Sequence, residues 1–348
     1  MKQIKQTLWV VALGLMLAST QVYAQKQVVK YEQTYIISEK LRAVRVGEKW
    51  GFADKDGNEK ISLKFDEVQN FSGGLAAVRI GEKWGYINKK GKIVIEPTYD
   101  DALSFTEGLT FVKEYDKWGI IDKKNKQIQH AIYDKAESFK EGVACVAIDG
   151  LFGFIDKQAK TVIPNSFKMA HSFSEGRAAV KTENKTWGFI DTKGVLFIGD
   201  NYDNVDDFIG GRAVVRKDRK WGMIDLQGNP VVALDYDFIG GANQGYVIVG
   251  RLDKYGIMDI KGTEITPVKY DLVTEFSEGF ARVGINGKFG FVDANGKEAI
   301  PLIYDAASNF EGKIAQISIF GKEGFVNKKG IETFNNQTIK DNLVVVSR

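Results

Sequence analysis

Hydrophobic and polar residues alternate in short segments along the chain, and the residues 75–108 show the pattern clearly. Ala76 and Val78 alternate with Ala77 and Arg79, a period of two that predicts a strand with one buried face. The same two buried positions recur as Ala144 and Val146, Ala213 and Val215, and Ala281 and Val283. A tight turn follows, and its dipeptides Asp149-Gly150 and Asn286-Gly287 are typical of a two-residue type I′ hairpin.

The second predicted strand, Lys83 to Asn88 (Lys-Trp-Gly-Tyr-Ile-Asn), recurs throughout the chain. Its aromatic position falls at Trp50, Trp84, Trp118, Phe152, Trp187, Trp221, Tyr255, Phe289 and Glu323. Successive copies lie 34 residues apart, except for one 35-residue step between Phe152 and Trp187. A period this regular predicts a repeat architecture.

Each unit continues with an Asp-x-x-Gly turn, in which Asp caps backbone amides and Gly adopts a left-handed conformation. A third strand such as Lys92 to Ile95 follows, then a Tyr-Asp pair such as Tyr99-Asp100, and a connector to Phe-x-x-Gly. The connector could hold a strand or one helical turn. Three strands cannot bury a core alone, so neighbouring units must cover them. We therefore predict an all-β open superhelical array of nine three-stranded repeats. A closed propeller-like ring is the alternative, although 34 residues is short for a propeller blade.

These residues resemble the WG-repeat family, also called KWG repeats, over residues 41–330. The resemblance rests on Lys-Trp-Gly-aromatic-Ile-Asp, the turn glycine, Tyr-Asp and Phe-x-x-Gly. It implies a β-rich repeat without a known catalytic activity. The pattern changes where Asn125 and Ala159 replace the turn glycine, and we expect those units to be looser.

The two ends differ from the repeats. Lys2 and Lys5, the apolar run from Leu8 to Ala18 and the small residues of Val22-Tyr23-Ala24 predict a signal peptide over residues 1–24, cleaved before Gln25. We expect this signal to direct export to the periplasm or the extracellular space, with no transmembrane span after cleavage. Residues 25–40 predict an N-terminal half-repeat cap, and residues 331–348 predict a C-terminal cap.

Composition narrows the classes of partner. The chain has 48 basic and 45 acidic residues, which gives no general reason to expect nucleic acid as a ligand. The single cysteine, Cys145, cannot form an internal disulfide, and its strand position predicts a half-exposed, inert thiol. His130 and His171 occupy different positions in their units and match no metal-ligand or nucleophile spacing. We therefore expect no catalytic residues, no cofactor and no metal site.

The residues that recur from one repeat to the next have structural explanations. We expect the aromatic rings to pack against the next repeat, although exposed rings would instead form a sugar-binding ladder. The glycine that follows each ring indicates close backbone approach or a bulge. The structural repeat positions are Trp50, Gly51, Trp84, Gly85, Trp118, Gly119, Trp187, Gly188, Trp221 and Gly222.

Charged turn residues also have structural explanations. The segment from Asp54 to Glu59 lacks the twelve-position oxygen ligand pattern of a calcium loop, and we interpret it as a turn. The Asp of each Tyr-Asp pair is expected to cap the turn that follows it. Lysines such as Lys89 and Lys328 are expected to be solvated. Together these features predict a non-catalytic exported scaffold that binds an unknown protein or cell-envelope component. A lectin-like module for polysaccharide or peptidoglycan is the alternative.

Overall fold

A computed structural model describes residues 31–240, 245–334 and 344–346. The predicted signal peptide lies outside the described residues. Within them the chain is all β, and its strands form nine antiparallel sheets in chain order.

The first five sheets have four strands each. Sheet 1 contains β1 (Gln33–Thr34), β2 (Arg42–Val46), β3 (Lys49–Ala53) and β4 (Glu59–Phe65). Sheet 2 contains β5 (Glu67–Val68), β6 (Leu75–Ile80), β7 (Lys83–Asn88) and β8 (Ile93–Tyr99). Sheet 3 contains β9 (Asp101–Ala102), β10 (Leu109–Glu114), β11 (Lys117–Asp122) and β12 (Gln127–Tyr133). Sheet 4 contains β13 (Lys135–Ala136), β14 (Val143–Ile148), β15 (Leu151–Asp156) and β16 (Thr161–Phe167). Sheet 5 contains β17 (Met169–Ala170), β18 (Ala178–Lys181), β19 (Trp187–Ile190) and β20 (Leu196–Tyr202).

The remaining sheets repeat this arrangement, and the last has one additional strand. Sheet 6 contains β21 (Asn204–Val205), β22 (Arg212–Lys217), β23 (Lys220–Asp225) and β24 (Pro230–Tyr236). Sheet 7 contains β25 (Phe238–Ile239), β26 (Tyr246–Arg251), β27 (Lys254–Asp259) and β28 (Glu264–Tyr270). Sheet 8 contains β29 (Leu272–Val273), β30 (Phe280–Ile285), β31 (Lys288–Asp293) and β32 (Glu298–Tyr304). Sheet 9 contains β33 (Ala306–Ala307), β34 (Ile314–Ile319), β35 (Lys322–Asn327), β36 (Glu332–Phe334) and β37 (Val344–Val346).

The connector is a strand, which the sequence left open. Its two residues, such as Asp101–Ala102, pair with the hairpin of the following unit and not with their own. Each sheet therefore takes its first strand from the end of the preceding repeat, and the three predicted strands become four. In sheet 1 this first strand is Gln33–Thr34, from the segment predicted as the N-terminal cap.

Every hydrophobic cluster among the described residues joins two consecutive sheets, so the array is open. Phe52 of sheet 1, for example, packs on Phe71 with ring centroids 4.8 Å apart, and the cluster includes Val78 and Ile87 of sheet 2. Clusters of this kind occupy all eight junctions. The aromatic and alanine positions of one sheet thus face the valine and isoleucine positions of the next, as expected for units that cannot bury a core alone.

The prediction of a half-exposed Cys145 thiol is wrong. The thiol is buried between sheets 4 and 5 instead of lying on a half-exposed face. The equivalent residues Ala43, Ala77, Phe111 and Ala179 are buried in the same way. The same position holds Arg282, which is half-buried, in sheet 8 and Gln316, which is exposed, in sheet 9, so its composition is mixed because its burial differs along the array. Burial raises the pKa of the Cys145 thiol, which keeps it protonated and unreactive.

The glycine after each aromatic residue lies against the fourth strand. A Cβ atom on Gly85 would be 2.5 Å from the carbonyl oxygen of Ile95 and 2.7 Å from the nitrogen of Pro97. The strand register shifts between Trp84 and Tyr86 at this point. Close approach and a bulge, the two predicted explanations, therefore occur together.

The Asp-x-x-Gly turns form as predicted, including the two that lack glycine. Asp191 Oδ1 accepts the backbone N–H groups of Lys193 and Val195, and Gly194 has φ of 80°. Asn125 and Ala159 adopt the same left-handed conformation, with φ of 63° and 60°. Their amides donate to the carbonyls of Asp122 and Asp156 at 3.0 and 2.9 Å, so these turns are not looser in hydrogen bonding.

Candidate binding surface

The alternating strand directions place the turns of all sheets along two rims of the array. The hairpin rim consists of the turns between the second and third strands of each sheet, at residues 47–48, 81–82, 115–116, 149–150, 182–186, 218–219, 252–253, 286–287 and 320–321. The glycine rim, at the opposite strand ends, consists of the Phe-x-x-Gly and Asp-x-x-Gly turns. Both rims are built from repeated contacts between consecutive sheets.

A three-part contact, which we call the hairpin clamp, links consecutive sheets along the hairpin rim. Lys83 of sheet 2 forms an ion pair with Asp100 at 2.5 Å, and Asp100 Oδ2 accepts the N–H of Tyr115 in sheet 3 at 2.9 Å. The ion pair with Lys83, with help from the Tyr115 amide, lowers the pKa of the Asp100 carboxyl. Equivalent clamps are Lys49–Asp66–Gly81, Lys117–Asp134–Gly150, Lys220–Asp237–Leu252, Lys254–Asp271–Asn286 and Lys288–Asp305–Phe320.

The hairpin clamp corrects the role predicted for the Tyr-Asp aspartate. Asp100 does cap backbone, but it caps the hairpin turn of the next sheet, 15 residues further along the chain. The residues that directly follow Asp100 pair as strand β9, so they offer it no turn to cap.

Sheet 5 lacks this lysine on both of its sides. At the junction of sheets 4 and 5 the clamp positions hold Leu151 and Lys168, and Lys168 instead pairs with Glu183 at 2.9 Å. At the junction of sheets 5 and 6 they hold Thr186 and Asp203, and only the contact from the Arg219 N–H to Asp203 remains. The 35-residue repeat therefore coincides with the two incomplete clamps.

Polar contacts near the first strands cross both of these junctions. Ser172 Oγ donates to Glu137 at 2.6 Å, and His171 Nδ1 lies 2.8 Å from Asp207. The His171 ring packs on Trp187, with centroids 4.9 Å apart. The hydrogen bond with Asp207 raises the pKa of His171, and burial raises the pKa of the neighbouring Asp206. His130 lies elsewhere, exposed on β12, so the two histidines do not form one site.

The glycine rim has its own clamp, formed by glutamates of the Phe-x-x-Gly turns and by Glu39 in the equivalent turn of sheet 1. Glu175 accepts the N–H groups of Gly210 and Gly211 in the next sheet, each at 2.7 Å. Glu39, Glu107, Glu141 and Glu278 make equivalent contacts. Two lysines that were expected to be solvated complete these clamps, because Lys89 pairs with Glu39 at 2.8 Å and Lys328 pairs with Glu278 at 2.9 Å.

Three hairpin turns present bulky apolar side chains to solvent. Tyr115, Leu252 and Phe320 are 95%, 88% and 82% exposed. Each has a positive φ, of 49°, 49° and 50°, at a turn position where Asn286 and Asp149 stand in other sheets. Left-handed backbone is unfavourable for bulky residues, and exposure of their apolar surface adds to the cost. These residues therefore do not serve the stability of their turns.

The tryptophans lie between these exposed turns and the core. Trp50, Trp84 and Trp187 are buried, whereas Trp118 and Trp221 are only partly buried, so the expected complete covering holds for three of the five. Cations of the neighbouring strand lie over several rings, and Arg216 is 5.7 Å from the centroid of Trp221. A depression of about 610 Å³ beside Trp221 is lined by Arg216, Arg219, Lys220 and Asp237.

Metal binding and membrane insertion are two further properties on which the described residues bear. They contain no group of three or more His, Cys, Asp or Glu side chains placed to hold a metal ion. Asp54, in the segment that faintly resembles a calcium loop, accepts the N–H groups of Asp56 and Asn58 as a turn cap. No helix in this part of the chain is long and apolar enough to cross a membrane.

The stacked sheets and repeated clamps define the class of tandem β-repeat proteins. A family model for the WG-containing repeat matches residues 50–84, 84–118, 118–152, 152–185, 187–221, 221–255, 255–289 and 289–322. The chain belongs to the WG-repeat family, as its Lys-Trp-Gly segments indicated.

Solved structures resemble the fold at low sequence identity. A eukaryotic initiation factor has a TM-score of 0.51 and 13% identity, over 85% of this chain and 95% of that one. PorZ, a surface component of the type-IX secretion system of Porphyromonas gingivalis, has a TM-score of 0.34 and 9% identity, over 92% of this chain and 52% of that one. The WD40 β-propeller domain of Doa1 has a TM-score of 0.30 and 13% identity, over 74% and 91%. No curated protein matches the sequence.

Proposed function

We propose that the protein is a non-catalytic, exported scaffold that holds a protein or cell-envelope partner along its hairpin rim. The observation that carries this proposal is the set of apolar side chains at the turns, Tyr115, Leu252 and Phe320. Each occupies a position where asparagine or glycine would stabilise the turn and remain hydrated. Such residues stabilise a complex when a partner covers them, because association removes their apolar surface from water.

The hairpin clamps support this role. They fix consecutive turns relative to one another, so much of the rim is organised before a partner binds. A preorganised surface loses less conformational entropy on association than a mobile one.

The test exchanges the three apolar side chains for the residue that the turn favours. A Tyr115→Asn, Leu252→Asn, Phe320→Asn variant should retain or raise its melting temperature and lose the partner captured from the source organism's envelope fraction. The control replaces three exposed apolar residues of fourth strands, by Val94→Asn, Val162→Asn and Leu234→Asn, and should still capture the partner. Equal capture by wild type and the rim variant would refute a binding role for the rim.

Export is a separate part of the proposal. Expressed in a bacterial host, the mature chain should begin at Gln25 and be recovered outside the cytoplasm. Soluble cytoplasmic protein that still begins at Met1 would contradict it.

A lectin-like function is the second candidate, supported by the partly exposed rings of Trp118 and Trp221. The depression beside Trp221 combines an aromatic ring with cations and a carboxylate, groups that suit polysaccharide or peptidoglycan. Glycan-array binding that is lost in Trp221→Ala and retained in Trp187→Ala would favour this candidate over the protein scaffold.

A further inference from the structure

The fourth strand of each of sheets 1 to 8 is an edge strand, so the chain presents eight versions of one edge for comparison. An unprotected edge offers unpaired backbone groups to other chains, and proteins guard such edges with proline or charge. Five of these strands carry proline, at Pro97, Pro164, Pro230, Pro267 and Pro301. Strand β4 carries Glu59, Lys60 and Lys64, and β12 is lined with Gln127, Gln129 and His130.

Strand β20 of sheet 5 is different. It contains no proline, and its only charged residue, Asp200, is held by the hydroxyl of Thr182 at 2.5 Å and the amide of Asn184. At its start, Val195, Leu196 and Phe197 are 57%, 42% and 48% exposed.

The other sheets show that this apolar run departs from the repeat. The position of Val195 holds a polar residue in each of the other seven sheets: Asn58, Lys92, Lys126, Lys160, Asn229, Thr263 and Lys297. The position of Leu196 holds Glu59, Ile93, Gln127, Thr161, Pro230, Glu264 and Glu298. Exposure of an apolar residue at the Phe197 position is ordinary, since Val94 and Val162 are similarly exposed. The full triplet occurs only in sheet 5.

The geometry of the strand restricts what could cover it. Val195 belongs to the turn before β20, where its N–H and carbonyl are bonded to Asp191, so the free backbone edge begins at Leu196. The register against β19 shifts at Phe197, the extra residue of a bulge, so the three side chains do not alternate strictly between two faces. A helix or a flat surface laid on the side chains would leave the backbone groups of this edge unpaired. A strand added at the edge covers both faces with its own alternating side chains and also pairs with the free backbone groups.

Charge adds a further requirement. The Arg177 guanidinium stacks on Phe197 at 4.1 Å, and Lys193 precedes the triplet. Asp191 caps its own turn, where the hydrogen bond from the Val195 amide, with help from the charges of Lys193 and Arg177, lowers the pKa of its carboxyl. Lys193 forms no direct ion pair with a carboxylate in the part of the chain that the structure describes. An acidic residue on the added strand would therefore complement this edge.

From these features we propose that β20 is a docking edge for an extended segment of a partner protein, with alternating apolar side chains and an acidic residue beside Lys193. This deepens the proposed scaffold function and rests on it, because it assigns a second contact surface to the same kind of partner. The sheet that accepts the segment is the one without complete hairpin clamps, so it has more freedom to adjust than its neighbours.

The experiment uses the full mature chain and a fluorescein-labelled synthetic peptide in which valine and threonine alternate behind one glutamate. Anisotropy titration should reach saturation, and peptide binding should slow amide hydrogen exchange within residues 195–201. The variant Val195→Lys, Leu196→Glu introduces the dipeptide that sheet 8 carries as Lys297-Glu298, so it suits the backbone. It should weaken peptide affinity by at least about tenfold.

The matched control makes the reverse exchange in sheet 8. Lys297→Val, Glu298→Leu gives that edge the apolar residues but keeps Pro301, and it should leave peptide affinity at the wild-type value. Absence of protection at residues 195–201, or equal affinity of the Val195→Lys, Leu196→Glu variant, would overturn the proposal. A dimer that forms without peptide and dissociates in that variant would also overturn it, in favour of a second copy as the occupant.

Failure of this inference is distinguishable from failure of the scaffold function. If the edge variant still captures the envelope partner as wild type does, while the hairpin-rim variant does not, the scaffold function stands and the docking edge falls. If wild type captures no partner but the peptide binds at residues 195–201, the docking edge stands without the proposed envelope function.

Discussion

The junction between sheets 1 and 2 and the junction between sheets 5 and 6 share a core but differ at the hairpin rim. Phe52 packs on Phe71 at the first, and Phe189 packs on Phe208 at the second, with centroids 4.8 Å apart in both. The first has the complete clamp of Lys49, Asp66 and Gly81, whereas the second has Thr186 where the lysine belongs.

The difference separates two functions of the repeat. Hydrophobic packing is present at every junction and holds the array together, because it removes apolar surface from water. The clamps lie at the surface and fix the turns, and surface ion pairs contribute little to stability. Sheet 5 can therefore lose its clamps, accept an extra residue and display an apolar edge without losing its place in the array.

The largest effect is expected when core side chains are truncated at both junctions. Phe52→Ala and Phe189→Ala each remove a fully buried ring and should each cost about 3–5 kcal/mol of unfolding free energy. Urea unfolding, with hydrogen exchange to localise the loss, provides the measurement. A much smaller cost for Phe189→Ala would show that sheet 5 is packed less well, and the comparison would fail.

Truncation of the tryptophans should have a smaller effect on stability, and its size should depend on how deeply each ring is buried. Trp187 of sheet 5 is as buried as Trp84 of sheet 2, whereas Trp118 is half-buried. Trp118→Ala should therefore lower the unfolding free energy by about 1–3 kcal/mol, which is less than the loss for Trp84→Ala or Trp187→Ala. In variants that keep one tryptophan, iodide should quench Trp118 more than the other two. Strong quenching at Trp187 would mean that sheet 5 opens in solution.

Much of this organisation can be predicted from the sequence. The period, the hairpins and the Asp-x-x-Gly turns each have a local signal, and the structure confirms the all-β array and the WG-repeat family. The sequence left the connector open between a strand and one helical turn, because two residues such as Asp101–Ala102 have no measurable period. Their role depends on pairing with a hairpin that follows them.

The sequence contains a signal for the hairpin clamp, but this signal is not detected when each turn is considered by itself. A lysine precedes an aspartate by 17 residues in six units, and this aspartate follows tyrosine in five of them and Phe65 in the first. In sheets 4 and 5 the lysine is replaced by Leu151 and Thr186. The joint recurrence of two charges at a fixed distance indicates contact. The apolar triplet at Val195 was also visible, but its exposure and its place at a sheet edge follow only from the fold.

A transplanted clamp tests whether the difference at sheet 5 has the small effect that surface pairs predict. Leu151→Lys with Lys168→Asp recreates the clamp residues at the junction of sheets 4 and 5. The double variant should gain about 0.3–1 kcal/mol over the sum of the two single variants. Thermal unfolding of wild type, both singles and the double provides the cycle. A coupling free energy of zero would show that the hairpin of sheet 5 is displaced from the clamp position.

The smallest effect is a pH dependence of opposite sign at the two kinds of junction. The ion pair with Lys83 lowers the pKa of Asp100, so this clamp stabilises the fold above the unfolded carboxyl pKa of about 3.9 and is lost as pH falls through the folded value. His171 faces Asp207, Glu137 and Asp206, and its raised pKa means that its contribution is complete below about pH 6.5 and is lost as pH rises through the folded value. Urea midpoints of Asp100→Asn should thus fall below wild type at neutral pH and converge with it as pH falls through the folded-state pKa of Asp100. Midpoints of His171→Gln should fall below wild type in mild acid and converge in mild alkali. Parallel curves for His171→Gln and wild type across this range would show that the junction of sheets 5 and 6 does not depend on the imidazolium charge.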